Sequence, residues 1–131
     1  MLRALFLGIP ICLAGFSGAF AAENRTYFPG FTGRVSQFMV PVDASNTRDR
    51  FLTIKITMAQ HPKASDIGFD NAFRAVCLRH QGELRKRAGK ISRHNDWRMK
   101  VTFAMPLRDA NGISVDLLRS KVLWLSNCRF Q

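Results

Sequence analysis

Trp97-Arg98-Met99-Lys100-Val101-Thr102-Phe103-Ala104-Met105 is the clearest strand in the chain. Trp97, Met99, Val101, Phe103 and Met105 alternate with Arg98, Lys100, Thr102 and Ala104, so one face is apolar and the other largely cationic. Upstream, residues 51–58 repeat the pattern, with Leu52, Ile54, Ile56 and Met58 opposed to Thr53, Lys55 and Thr57. Between the two runs the period changes. Phe69, Phe73, Val76, Cys77, His80, Leu84 and Ala88 recur at three and four, the apolar stripe of one amphipathic helix. Asp66 suits its N-cap and Asp70 its first turn, while Arg85, Lys86 and Arg87 precede a C-terminal Gly89. Gly82 inside the helix costs about 1 kcal/mol relative to alanine.

Working outward, residues 34–42 place Phe38, Val40 and Val42 on one strand face. The polar run 43–49 then turns the chain into residues 51–58, giving an antiparallel hairpin. Residues 22–33 set Pro29, Gly30 and Gly33 among Tyr27, Phe28 and Phe31, which reads as an irregular arm over the core. Downstream, residues 108–112 form a hairpin turn in which Asn111-Gly112 supplies positive backbone angles. Ile113, Val115 and Leu117 then return as a strand. A helix over 114–125 competes, but Val122-Leu123-Trp124-Leu125 and the polar break Arg119-Ser120-Lys121 favour strands. Val122, Trp124, Ser126, Cys128 and Phe130 share one face of a last strand. The expected fold is α+β: a small antiparallel sheet of about five strands, β-β-α-β-β-β, with one helix packed across it.

The N-terminus reads as an address. Arg3 precedes an almost continuous apolar run over residues 4–13, followed by small residues and Ala19-Phe20-Ala21. This is the pattern of a signal peptide, residues 1–21, cleaved after Ala21 with Ala22 as the next choice. The run is shorter than the roughly 20 apolar residues a membrane span needs. Lipidation at Cys12 is disfavoured, because Ile9-Pro10-Ile11 lacks the small residues it requires. Residues 22–131 then form a single domain whose two cysteines, Cys77 and Cys128, are expected to form a disulfide between the helix and the last strand. Neither sits in the Cys-x-x-Cys spacing of a redox catalyst.

Charge is the strongest functional signal. The 131 residues carry 20 Lys+Arg against 9 Asp+Glu, a formal net charge of +11. Its hydrophobic fraction of 47% argues against disorder. Cations concentrate from Arg74 to Arg108, against only Glu83 and Asp96. Such a field attracts polyanions in a salt-dependent way, and arginine's planar fork suits phosphate or carboxylate. The residues expected to bind are Arg85, Lys86, Arg87, Lys90 and Arg93, at the helix end and connector, with Arg98 and Lys100 adjoining.

Catalytic signals are thin. His80 lies on the helix's apolar stripe, His61 precedes Pro62 in a connector and His94 belongs to the basic loop. No metal-ligand spacing, calcium-type acidic loop, paired carboxylate or nucleophile elbow is present in the sequence. No catalytic residue, metal or cofactor is assigned. Specific nucleic-acid recognition is not expected, because Trp97, Phe103, Trp124 and Phe130 alternate as buried residues do. Tyr27, Phe28, Phe31 and Phe51 are the aromatics that could be exposed.

The expectation is a small, exported, basic, non-enzymatic binding protein of the bacterial envelope, periplasmic or secreted. It would engage an anionic envelope component (lipid or glycan phosphate) or an acidic protein, with peripheral membrane contact allowed and no transmembrane span after cleavage. Two alternatives stay open. One is an inhibitor or accessory subunit docking by a sheet edge or the arm near Tyr27. The other is a small phosphodiesterase-like hydrolase using His61 or His94.

Overall fold

The computed structural model describes residues 23–40, 51–89 and 97–131. The signal-peptide reading, the polar turn at 43–49, and Lys90, Arg93 and His94 lie outside them. The element order is β1 (Arg25–Phe28), β2 (Phe31–Met39), β3 (Phe51–Met58), α1 (Asp66–Gly89), β4 (Arg98–Arg108) and β5 (Ser114–Trp124). The five strands form one sheet in sequential order, with α1 on one face.

The architecture is α+β as expected, but the order is β-β-β-α-β-β and the sheet is mixed. Strands β3 and β4 run parallel, pairing from Phe51↔Arg98 to Thr57↔Ala104, and the other neighbours are antiparallel. Parallel neighbours cannot be joined by a tight turn. The 24-residue helix α1, about 36 Å long, carries the chain back to the starting end of β3. Leu52, Ile54, Ile56 and Met58 of β3 and Met99, Val101, Phe103 and Met105 of β4 all face α1 and are buried.

The arm expected at residues 22–33 is instead a hairpin. Phe28 pairs with Phe31 across Pro29-Gly30, where Gly30 adopts φ +87°, a conformation that costs glycine little. Gly33 is needed for a different reason. A Cβ there would sit 2.6 Å from the Thr57 carbonyl oxygen and 2.8 Å from the Ile56 side chain. At the other edge, the polar Arg119-Ser120-Lys121 does not break the strand. Ser120 Oγ lies 2.8 Å from Thr102 Oγ1, Arg119 pairs with Asp66 at 3.0 Å and Lys121 with Asp70 at 3.7 Å. Strand β5 therefore runs unbroken to Trp124.

The chain then turns, and Cys128, placed on a strand by the sequence pattern, takes φ 56° beyond that turn. The tail returns to the outer edge of β5: Trp124 N–H donates to Arg129 O and Gln131 N–H to Val122 O. This return brings Cys128 to the helix stripe, where it is joined to Cys77 with a Cα–Cα distance of 5.8 Å.

The stripe packs as its spacing implies. Phe69, Phe73, Val76, Cys77 and Leu84 are buried, and Phe73, Phe69 and Phe31 surround Phe103 at ring distances of 4.7, 6.3 and 5.7 Å. The helix cap is Ser65 rather than Asp66: Gly68 N–H donates to Ser65 Oγ at 3.3 Å. Asp66 instead occupies the first turn, where its charge suits the helix dipole.

Candidate anion-binding surface

The strand period that buries one face of the sheet sends every second residue to the other. Among the described elements none packs on that second face. Its residues follow from register. Phe51, Arg98 and Trp124 form one cross-strand row, Thr53, Lys100 and Val122 the next, Lys55, Thr102 and Ser120 the third, and Thr57, Ala104 and Leu118 the fourth. Arg34 lies beside Thr57, and Arg108 lies farther along β4. Among the described residues, five cations from three strands therefore share this face with one acid, Asp116. Adjacent strands stand about 4.8 Å apart and successive rows about 6.7 Å. Arg98, Lys100 and Lys55 thus form a zigzag.

The aromatic end of this face corrects the sequence reading. Trp124 pairs with Arg98 on the open side instead of entering the core, and it is half-buried. The Arg98 guanidinium lies 4.1 Å from the Phe51 ring centre and 6.0 Å from that of Trp124. Stacking on both rings holds its cationic plane in place. Of the other aromatics read as candidates for exposure, Phe31 is buried, whereas Tyr27 and Phe28 are half-buried.

The helix end contributes on the opposite side of the sheet. Arg85 and Lys86 are exposed, and Arg85 donates to the Ser126 carbonyl oxygen. Gln81 Nε2 reaches the Leu125 and Ser126 carbonyls at 2.9 and 3.0 Å, tying the tail to α1. The side chain of Arg87 is not among those described. The seven expected binding residues thus divide: Arg85 and Lys86 on the helix, Arg98 and Lys100 on the open face, and the remainder outside the described side chains. The sequence-based binding set left out Arg34, Lys55 and Arg108. The alternation that placed Lys55 on a wetter face was legible, but not which strands adjoin it.

A second basic feature lies between β1 and α1, an open groove of about 560 Å³ lined by Arg25, Thr26, Tyr27, Ala75, Leu78 and Arg79. Tyr27 Oη lies 2.8 Å from His80 Nε2. Burial holds the His80 pKa below its ordinary 6.5, Arg25 and Arg79 push the same way, and Glu83 opposes them. The Tyr27 pKa is raised by burial and moderated by the same two arginines. Because folding depresses the His80 pKa, its neutral form contributes stability above about pH 6.5, and that contribution falls away on acidification through the folded value. Thermal unfolding from pH 8 to 5 is expected to show stability decreasing below pH 6.5, with a shallower decrease in His80→Gln. An unchanged slope in the variant would contradict the assignment.

Among the described residues no group of three His, Cys, Asp or Glu is placed to hold a metal. Compared with known proteins, the chain matches no family model, no curated protein and no solved structure.

Proposed function

We propose that this is a small basic binding protein that engages a phosphate-bearing envelope surface through the open sheet face, the Arg-rich helix end lying on the side turned away from it. The observation that carries the reading is the concentration of Arg34, Lys55, Arg98, Lys100 and Arg108 on a sheet face that no described element packs against, beside a single acid among the described residues. An array of cations spread over one sheet face suits many phosphates presented side by side, as on anionic phospholipids or lipid-linked glycan phosphates. Export is part of this reading. It is supported by the Cys77–Cys128 disulfide, which suits an oxidising compartment. No helix among the described residues is long and apolar enough to cross a membrane.

The test uses vesicles of phosphatidylglycerol and phosphatidylcholine, with purified lipopolysaccharide as a separate arm. The protein is expected to sediment with phosphatidylglycerol but not phosphatidylcholine, and to be released by salt. Lys55→Gln combined with Lys100→Gln removes two cations at about 1 kcal/mol each, a loss of roughly 30-fold in affinity at low salt. Binding to lipopolysaccharide alone would narrow the source of phosphate. Equal binding to neutral vesicles would overturn the reading.

A further inference from the structure

The outer edge of β5 is partly closed and partly open, and the hydrogen-bond pattern says which backbone groups have no partner among the described residues. Asp109 N–H donates to Ile113 O, so the odd-numbered residues of this strand direct their backbone groups toward β4. The even-numbered residues direct theirs outward, as the bonds of Trp124 N–H and Val122 O to the returning tail confirm. The tail covers Val122 and Trp124. Ser114, Asp116, Leu118 and Ser120 are left with their N–H and C=O groups facing out, and all four residues are exposed.

The side chains along this segment are unusually apolar for an edge. Ile113 is 59% exposed, Val115 46%, Leu117 45% and Leu118 55%. Long, exposed, apolar edges invite pairing with another strand unless charge or proline blocks it. Charge does not block it here. Arg119 and Lys121 are already paired with Asp66 and Asp70, and Asp116 is the remaining charge on the segment. On a chain of net charge +11 this strip carries no uncompensated cation, so a second copy can approach it with the two Asp116 carboxylates, set diagonally across the axis, as the like charges that meet.

We infer that β5 pairs antiparallel with β5 of a second copy, about a two-fold axis passing through Leu117. This register sets Ser114 opposite Ser120 of the second copy and Asp116 opposite Leu118. It uses the outward backbone groups of all four open residues on both chains. The two Leu117 side chains meet at the centre, flanked by Val115 of each copy. The axis is perpendicular to the sheet, so both helices lie on one side and the two cationic faces form one continuous surface on the other. Such isologous contacts are the commonest form of homodimer. The pairing rests on the edge alone, so it stands or falls separately from the anion-binding reading.

The test is mass in solution by light scattering, with two kinds of variant. Wild type is expected at twice the monomer mass. Leu118→Pro removes an N–H that does not bond β4, so it is expected to leave the circular dichroism unchanged and halve the mass. If Leu118→Pro fails to fold, Leu117→Lys replaces it, placing two ammonium groups against each other at the axis. Leu117→Cys tests the register. Directly opposed residues of this type have Cα atoms about 4.5 Å apart, within disulfide range, so a dimer crosslinked through that position is expected on non-reducing gels. Leu78→Cys, on the exposed helix surface, is expected to stay monomeric under the same conditions. A monomeric wild type at hundreds of micromolar, a dimer that survives both edge variants, or equal crosslinking of the two cysteine variants would overturn the inference.

Discussion

Replacing Cys77 and Cys128 together by alanine is expected to lower the unfolding free energy by on the order of 4 kcal/mol. The bond closes a loop with sequence separation 51, and a crosslink of that span restricts the unfolded chain by about this amount in the chain-entropy account. For a domain of this size the loss corresponds to a fall in Tm of roughly 15–25 °C. Native placement adds to the effect. Both cysteines are buried, and the tail bearing Cys128 is also held by Gln81 and by the edge of β5. Intact mass should be about two daltons below that of the reduced protein. A double variant that melts within a few degrees of wild type would show that these hydrogen bonds and the core hold the tail unaided.

Phe103→Ala is expected to cost about 3–5 kcal/mol, the range for truncating a fully buried phenylalanine. Phe103 sits on a central strand between Ile56 of β3 and Arg119 of β5, with its ring against Phe73, Phe31 and Phe69. Collapse around the missing ring is limited, because its neighbours come from β2, α1 and the sheet and cannot all move inward together. Ile113→Ser at the exposed hairpin tip is the contrasting control and should change stability by less than about 0.5 kcal/mol. Denaturant melts of the two variants measure the difference. Similar values would contradict the placement of the core.

The elements with a sustained period were the legible ones. The stripe from Phe69 to Leu84 and the alternation in residues 51–58 and 97–105 fixed the helix and two central strands, and the buried position of Cys77 pointed to its partner. Strand direction was not legible, because alternation says which side chains share a face and nothing about the neighbouring strand. The hairpin of β1 and β2 was hidden by Pro29, Gly30 and Gly33, which suggested irregularity. In the structure, two of them form the turn and the third lets β2 approach β3. Arg119-Ser120-Lys121 looked like a break because its partners, Asp66, Asp70 and Thr102, lie far away in sequence.

The candidate site was half legible for the same reason. A cationic side to residues 97–105 was visible from Arg98 and Lys100, whereas Arg34 and Lys55 join it only through pairing across the sheet. The alternation that includes Trp97, Phe103, Trp124 and Phe130 reads Trp124 as a buried residue. The partnership of Trp124 with Arg98 reverses that assignment and creates the aromatic seat for the guanidinium.

The most direct measurement is the affinity for phosphatidylglycerol vesicles of two equally neutralised proteins, one carrying Lys55→Gln and Lys100→Gln, the other Arg85→Gln and Lys86→Gln. Both lose two positive charges, so a difference between them reports position and not net charge. The account predicts the larger loss, roughly 30-fold at low salt, for the open-face variant. A larger loss for the helix-end variant, or no loss for the open-face variant, would contradict it.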